Sequence, residues 1–236
     1  MKLALTASLA LTASLALTAS LALTASPAWT QEFITPDAPL ADADFYRLIA
    51  CAAPRGGDCQ KELVRWSPAD AQNVSIGIVQ IEDGYPAALV KQAADALTAA
   101  IKTLNAADAN IHATPSDPTE KPDVGLHLLT IVEGDVIRNT GLNPLDGAVI
   151  EAAKTQLWWR ADRSLITGAI VFGKDIDPND LPSIMLEEVI QSMGLLTDIG
   201  GPFYQTRSIF SESSNQLTTL GAQDIMTLRR HYPKSP

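Results

Sequence analysis

The strongest constraint on the fold is an alternating apolar strand followed closely by a long alanine-rich helix. Residues 74–80 (VSIGIVQ) place apolar side chains at every second position from Val74, which is the period of a half-buried strand. Residues 87–104 predict a helix whose apolar side chains recur every four positions from Leu89. Because such a helix buries its apolar stripe against a sheet, the chain is predicted to mix both element types in one domain.

The rest of the mature chain adds further elements of both types. We predict strands at 111–114, 124–132, 155–160 and 165–172, helices at 42–52, 181–193 and 222–231, and a linker at 29–40. With 46% hydrophobic and 19% charged residues, the chain has enough apolar side chains for a core that needs no metal staple. The predicted fold class is α/β (α+β), with a mixed sheet and two main helices followed by a C-terminal loop and helix.

The N-terminus consists of the hexad LALTAS repeated four times over residues 3–26. A lysine at position 2, an uncharged apolar stretch and the small residues around Ala28 are typical of a secretory signal peptide. We therefore predict a signal peptide at 1–28, cleavage near Ala28, and a periplasmic or secreted protein. The stretch is also long enough to span a bilayer, so a retained anchor is the alternative, and an uncleaved segment would be the only contact with a membrane.

The two cysteines lie close together, in a predicted N-terminal extension at 29–70. Cys51 and Cys59 enclose the seven residues AAPRGGD, a flexible loop that can close. In an oxidising compartment this spacing predicts a local disulfide, with free thiols or a two-ligand metal site as the alternative.

The charge balance excludes several kinds of partner. The formal net charge is −10, whereas nucleic acids and anionic membranes bind surfaces rich in Lys and Arg. The chain also lacks a nucleophile-elbow motif, a phosphate-binding glycine loop and a dinucleotide fingerprint. No nucleic-acid partner is expected, and the common hydrolase and nucleotide-binding motifs give no alternative function.

The helix predicted at 181–193 carries a polar group of side chains. Glu187, Glu188 and Gln191 converge on one stripe, because residues three and four positions apart are neighbours on a helix. The simplest interpretation of such a stripe is a solvent-exposed helix face. The alternative is a functional site.

The functional interpretation comes from a resemblance. The frame EExxQxxG at 187–194 resembles the zinc-protease helix HExxHxxG with both histidines replaced, and the segments downstream follow the order found in metzincin metalloproteases, especially the matrixin-like ones. These segments are Ser208-Ile209-Phe210 at the position of the Met-turn, Asp224-Ile225 at the start of the last helix, and the closing Tyr232. The resemblance implies a zincin/metzincin-like domain at 71–236.

A second resemblance is to a bacterial family of exported proteins of unassigned function, the DUF2927-like family. It rests on Cys51, Cys59 and the following Val64-Arg65-Trp66, on the EExxQxxG helix with Asp198, and on Ser208-Ile209-Phe210. In that resemblance the glutamates and the glutamine are the family's own pattern.

The metzincin resemblance assigns roles to the polar residues. Glu188 keeps the position of the general base, and Glu187, Gln191 and Asp198 are the candidate metal ligands. A neutral amide is a poor zinc ligand, and Asp198 follows the third ligand position, Thr197, by one residue. We therefore expect no cofactor; a single divalent ion, if bound, would be a hard ion such as calcium or manganese. The three histidines (His112, His127 and His231) are expected to be surface or packing residues.

The same resemblance points to binding. In metzincins the edge strand pairs with an extended substrate peptide, and by order that strand is 155–160 here, with Trp158 and Trp159 as candidate cleft residues. Packing of both tryptophans is the alternative. The predicted function is a non-catalytic binding or structural module of the periplasm, with an extended peptide or an envelope glycan as the candidate ligand. The alternatives are a metal-dependent hydrolase with Glu188 as base, and a binder of envelope glycans that stacks on a tryptophan.

Overall fold

A five-stranded sheet forms the centre of the part of the chain that the structure describes. The structure is a computed structural model that describes residues 33–117 and 119–234, all within the unit Gln31–Pro236. The predicted signal peptide at 1–28 lies outside the described residues. No helix among those that the structure describes is long and apolar enough to cross a membrane.

The four helices and the strands of the central sheet follow the predicted order, and two short strands, at Phe33–Ile34 and Asp198–Ile199, were not predicted. The strands are β1 (Phe33–Ile34), β2 (Val74–Ile81), β3 (Ala113–Pro115), β4 (Val124–Leu128), β5 (Ala153–Trp159), β6 (Leu165–Phe172) and β7 (Asp198–Ile199). The helices are α1 (Asp42–Cys51), α2 (Ala87–Ala106), α3 (Leu181–Gln191) and α4 (Ala222–His231), with one 3₁₀ turn at Asp70–Gln72. The predicted α/β (α+β) class is confirmed.

The sheet has the strand order β3-β2-β4-β6-β5 and is mixed. The first four strands are parallel, and β5 runs antiparallel to β6 at the edge. Every residue of the central strand β4 is buried, and its alternate residues Val124, Leu126 and Leu128 belong to the main core. In this strand order β5 is an edge strand and is antiparallel to its neighbour. This is the edge position that the resemblance to metzincins implies for residues 155–160.

The two faces of the sheet are covered differently. Helices α2 and α3 pack against each other and against one face, where their apolar residues share a core with Ile76, Leu126 and Ile170. The opposite face meets part of the connection between β4 and β5, in a smaller apolar cluster that includes Leu129 and Val171. The larger core positions α3 directly against the sheet.

The N-terminal extension shares the main core. Strand β1 lies within the segment predicted as a linker and pairs in parallel with β7, a two-residue interaction too short to leave a periodic sequence signal. Helix α1 packs against α4, and the predicted disulfide joins Cys51 to Cys59 with a Cα–Cα distance of 5.1 Å. The N-terminal extension therefore packs against two elements that follow α3, namely β7 and α4.

Two elements end at least two residues earlier than predicted. Strand β4 stops at Leu128 instead of continuing to 132, because the chain turns into the excursion that covers the second sheet face. Helix α3 stops at Gln191 instead of 193, and Gly194 then takes a φ of +94°. A glycine with positive φ is the usual residue just beyond a helix end.

Candidate functional site

Helix α3 presents the polar residues singled out in the sequence, but it is buried on most sides. Glu188 exposes only 7% of its surface, and Glu187 and Gln191 are partly buried. The simple interpretation of these residues as a solvent-exposed face is therefore wrong. The loop after α3 and the N-terminal extension cover this face of the helix. The periodicity within α3 did not reveal the burial, because it carries no information about segments elsewhere in the chain.

The short strand β7 brings Asp198 to the polar side of α3. Gln191 donates its Nε2–H to Asp198 Oδ1 at 2.8 Å, and the carboxyl group of Glu187 is hydrogen-bonded to the same carboxylate. The main chain fixes β7 on both sides, since Ile199 N–H donates to Phe210 O at 2.8 Å and Gly200 N–H donates to Ile34 O at 2.9 Å. The structure thus joins the three candidate ligands into one hydrogen-bonded group.

The two carboxyl groups of this hydrogen-bonded group have raised pKa values. Burial first, and then the charge of Asp198, raise the pKa of Glu187 well above its ordinary value. Burial and the nearby Glu212 raise the pKa of Asp198 to about 7, against the opposing effects of Lys61 and of the hydrogen bonds from Gln191 and Glu187. Two carboxyl groups in contact ionise as a pair, so the raised values describe Glu187 and Asp198 together.

Glu188 faces the edge strand. Its carboxylate Oε2 accepts a hydrogen bond from the Thr155 hydroxyl, in the middle of β5. The side chain at the base position therefore ties α3 to the strand that the metzincin resemblance identifies with peptide binding. Glu188 points in a different direction from Glu187, because adjacent residues are rotated by about 100° around the helix axis.

The arrangement of Glu187 and Asp198 is that of two carboxyl groups that are hydrogen-bonded to each other. A divalent ion would require oxygen atoms of Glu187, Gln191 and Asp198 to point at a common centre. Gln191 instead turns its NH₂ group to Asp198. Over residues 33–117 and 119–234, no three His, Cys, Asp or Glu side chains are placed to hold a metal ion. This geometry does not fit a bound cation, and we derive no metal-dependent step from it.

The histidines have other positions in the fold. His112 is exposed, whereas His127 and His231 are buried. His231 interacts through Nε2 with Val64 O at 3.0 Å and through Nδ1 with Tyr46 OH at 3.3 Å. The histidines therefore lie at the surface or in packed surroundings, as expected from the sequence.

The two tryptophans of β5 have different surroundings, and the pairing with β6 is irregular between them. Trp158 lines a pocket on the face away from α3 and donates its indole N–H to Asn143 O at 3.0 Å. Trp159 is 41% exposed and is not part of that pocket. The structure therefore does not bring the two candidate cleft residues into one cleft.

The C-terminal motifs meet around Asp224, which is fully buried. Its Oδ2 accepts hydrogen bonds from Ile209 N–H at 2.9 Å and Gly221 N–H at 2.8 Å. Phe210, at the position of the Met-turn residue, is fully buried, and its N–H donates to Ser208 Oγ at 3.1 Å. The aspartate that begins α4 thus organises the loop that supports β7.

Three contributors to the site could not be recognised from the sequence. Thr155 bonds to Glu188, while Glu212 and Lys61 act on the pKa of Asp198 from distant parts of the chain. Lys61 is positioned by its ammonium group, which donates to Leu196 O at 2.9 Å. The only sequence signal was the predicted edge-strand position of Thr155. Comparison with known proteins adds no assignment: no protein-family model and no curated protein matches this chain.

Proposed function

We propose that this chain is an exported, non-catalytic binding module that holds an extended peptide along the outer edge of β5. The observation that carries the proposal is an antiparallel edge strand, beside α3, whose outward main-chain groups are available for pairing. An edge strand of this kind binds a peptide by adding it to the sheet as a further strand.

The pairing pattern identifies the outward groups. Gly168 N–H donates to Asp123 O at 2.8 Å, so the main-chain groups of Gly168 point toward β4. The main-chain groups of the alternate β6 residues, Thr167, Ala169 and Val171, therefore point toward β5. Their partners in β5 are Lys154, Gln156 and Trp158. In an antiparallel pair the intervening residues point their main-chain groups away.

The groups that face outward are therefore those of Ala153, Thr155 and Leu157. Their N–H groups have no main-chain partner among the residues that the structure describes. The side chain of Gln156 donates Nε2–H to Leu157 O at 2.8 Å, which caps one of the outward carbonyls. At least three donors and two acceptors thus remain for a peptide.

The metzincin-like resemblance supports the same proposal. The order of elements from β2 to α3 and the antiparallel edge strand agree with a peptide-binding edge in that fold, and the absent histidines favour binding without hydrolysis. The predicted signal peptide would place the module in the periplasm or outside the cell, where the Cys51–Cys59 disulfide is stable.

The test uses the full chain, exported by the cell and purified without chelators or a His-tag. Binding to an immobilised library of ten-residue peptides identifies a probe, whose affinity is then measured by calorimetry. N-methylation of the alternate peptide amides that face β5 should weaken binding at least tenfold, whereas methylation of the other alternate set should have little effect. Equal effects of the two sets would refute strand addition.

A protein variant provides the matched control. Ala153→Pro removes one outward N–H at the first position of an edge strand, where proline is tolerated, and should weaken peptide binding several-fold. Ala153→Ser keeps the N–H and should bind as the wild type does. Peptide cleavage that requires an added metal would support the hydrolase alternative instead, and glycan binding lost on Trp159→Ala would support the carbohydrate alternative.

A further inference from the structure

The sheet face turned away from α2 and α3 contains a second candidate site. The excursion between β4 and β5 covers only part of this face. Beside the covered part lies a pocket of about 320 Å³, within the size range of small-molecule sites. Its floor crosses four neighbouring strands, and its rim includes Lys121, Pro122 and Leu142.

A missing side chain in the middle of the sheet creates the space. Gly125 lies in β4, and a Cβ atom there would be 3.0 Å from Val79 Cγ2 and 3.7 Å from His127 Nε2. Val79 itself is 48% exposed, which is unusual for a valine on a sheet with core on both faces. A ligand entering the pocket would therefore cover apolar surface that the protein leaves open to water.

Trp158 supplies an aromatic wall. Its indole N–H is bonded to Asn143 O, so the ring is held in place while the strand orients it over the floor. A fixed indole favours a flat apolar partner that can stack on it or meet its edge. Leu142, beside Asn143, adds an aliphatic contact at the rim.

The floor also offers a hydrogen-bond acceptor. His127 Nδ1 lies 2.7 Å from Gln80 Oε1, and since a carbonyl oxygen only accepts, Nδ1 carries the proton. Burial lowers the pKa of His127, which favours the neutral ring, and in a neutral ring protonated at Nδ1 the Nε2 atom is an acceptor. The Nε2 atom lies on the side of Gly125. It forms no hydrogen bond with any of the described residues, and it is not one of the completely buried polar atoms that lack a partner.

The rim carries a cation. Lys121 is exposed and forms no ion pair with any residue in 33–117 or 119–234. On a chain with a net charge of −10, an ammonium group at the entrance of an apolar pocket is complementary to an anionic ligand group.

We propose that this pocket binds a small aromatic carboxylate, with its ring against Trp158 and Val79, its carboxylate at Lys121, and a ring hydroxyl donated to His127 Nε2. The proposal is independent of peptide binding, because the pocket lies within a sheet face and the peptide would lie along the outer edge of β5.

Three related probes test the recognised groups separately: 6-hydroxy-2-naphthoate, 2-naphthoate without the hydroxyl, and 2-naphthol without the carboxylate. Calorimetry on the full chain gives the affinities, and ¹⁵N spectra of the indole groups locate the site. We expect the first probe to bind at least tenfold more tightly than 2-naphthol and several-fold more tightly than 2-naphthoate, with a shift of the Trp158 indole signal.

Two pairs of variants complete the test. Lys121→Gln should weaken both carboxylates about tenfold and leave 2-naphthol unchanged, while Lys102→Gln, on the exposed side of α2, should change nothing. Val79→Trp should fill the pocket and abolish binding, while Ile81→Trp, exposed on the same strand, should not. The proposal is overturned if no probe shifts the Trp158 signal, if the three affinities are equal, or if Val79→Trp binds normally.

Discussion

The hydroxyl of Ser208 donates to Oδ1 of Asp224 at 2.7 Å, across a sequence separation of 16 residues, and both side chains are buried. The other carboxylate oxygen accepts two main-chain N–H groups, so one aspartate satisfies three donors, of which Gly221 N–H is only partly buried. Burial raises the pKa of Asp224, and these three hydrogen bonds oppose that effect. This contact fixes the loop that carries Phe210 against the start of α4.

We predict that Asp224→Ala lowers the free energy of unfolding by about 3 kcal/mol or more, because two buried donors and one partly buried donor lose their acceptor. Ser208→Ala removes only one of these bonds and should cost about 1 kcal/mol. Urea denaturation of both variants and of the double variant measures the coupling. Additive effects of the two substitutions would show that Ser208 does not act through Asp224.

Gly194, the last residue of the EExxQxxG frame, is required by a close approach of the main chain. A Cβ atom at this position would lie 2.1 Å from Val64 O, and its φ is +94°. We predict that Gly194→Ala costs more than about 3 kcal/mol or prevents folding. Gly141→Ala is the control, because Gly141 has a φ of +72° with no atom within 4 Å of the Cβ position and should cost only about 1 kcal/mol. Similar losses of stability in the two variants would show that the positive φ, and not the close approach to Val64 O, causes the loss in Gly194→Ala.

The elements most visible in the sequence were those with local periodicity. Helix α4 (Ala222–His231) begins and ends where predicted, and α2 and β6 differ by two residues at most. The pairing of β1 with β7 and the approach of Lys61 to Asp198 depend on contacts between distant segments, which a period cannot encode. The same reason explains why the burial of Glu188 was missed.

His231 provides a prediction about pH. Burial lowers its pKa to about 4, against an ordinary value of 6.5. A histidine that remains neutral in the folded state destabilises it as the pH falls, since below pH 6.5 the unfolded chain binds a proton that the folded chain does not. We therefore expect His231 to reduce stability progressively between pH 6.5 and 4, by on the order of 3 kcal/mol in all.

Histidine titration by NMR measures this pKa directly in the folded protein, with the exposed His112 as the internal comparison. Because the Glu187–Asp198 pair titrates with the opposite sign, the stability test compares His231→Gln with the wild type at each pH. The difference between the two should shrink as the pH falls from 6.5 to 4. A His231 pKa near 6.5 would contradict the prediction.

The Cys51–Cys59 disulfide closes a short loop, with a sequence separation of 8. Chain entropy then gives a stabilisation of about 2–3 kcal/mol, and we predict a loss of that size for the Cys51→Ser, Cys59→Ser double variant in denaturant titrations. Reduction of the wild-type protein should produce the same loss, whereas the variant should not respond to reductant. A response of the variant would show that the reductant acts elsewhere.

The Glu187–Asp198 pair gives the final prediction. Because Glu187 is hydrogen-bonded to Asp198 and Gln191 turns its NH₂ group to the same carboxylate, we expect protein purified without chelators to contain far less than one equivalent of any metal. Excess Ca²⁺ or Mn²⁺ should not raise its thermal midpoint, whereas an ion that binds only the folded state would raise it further with each increase in ion concentration. Asp198→Asn retains an oxygen that can accept from Gln191 and serves as the matched control. About one equivalent of metal in the wild type, lost in Asp198→Asn, would contradict the prediction and restore Glu188 as the base of a metal-dependent hydrolase.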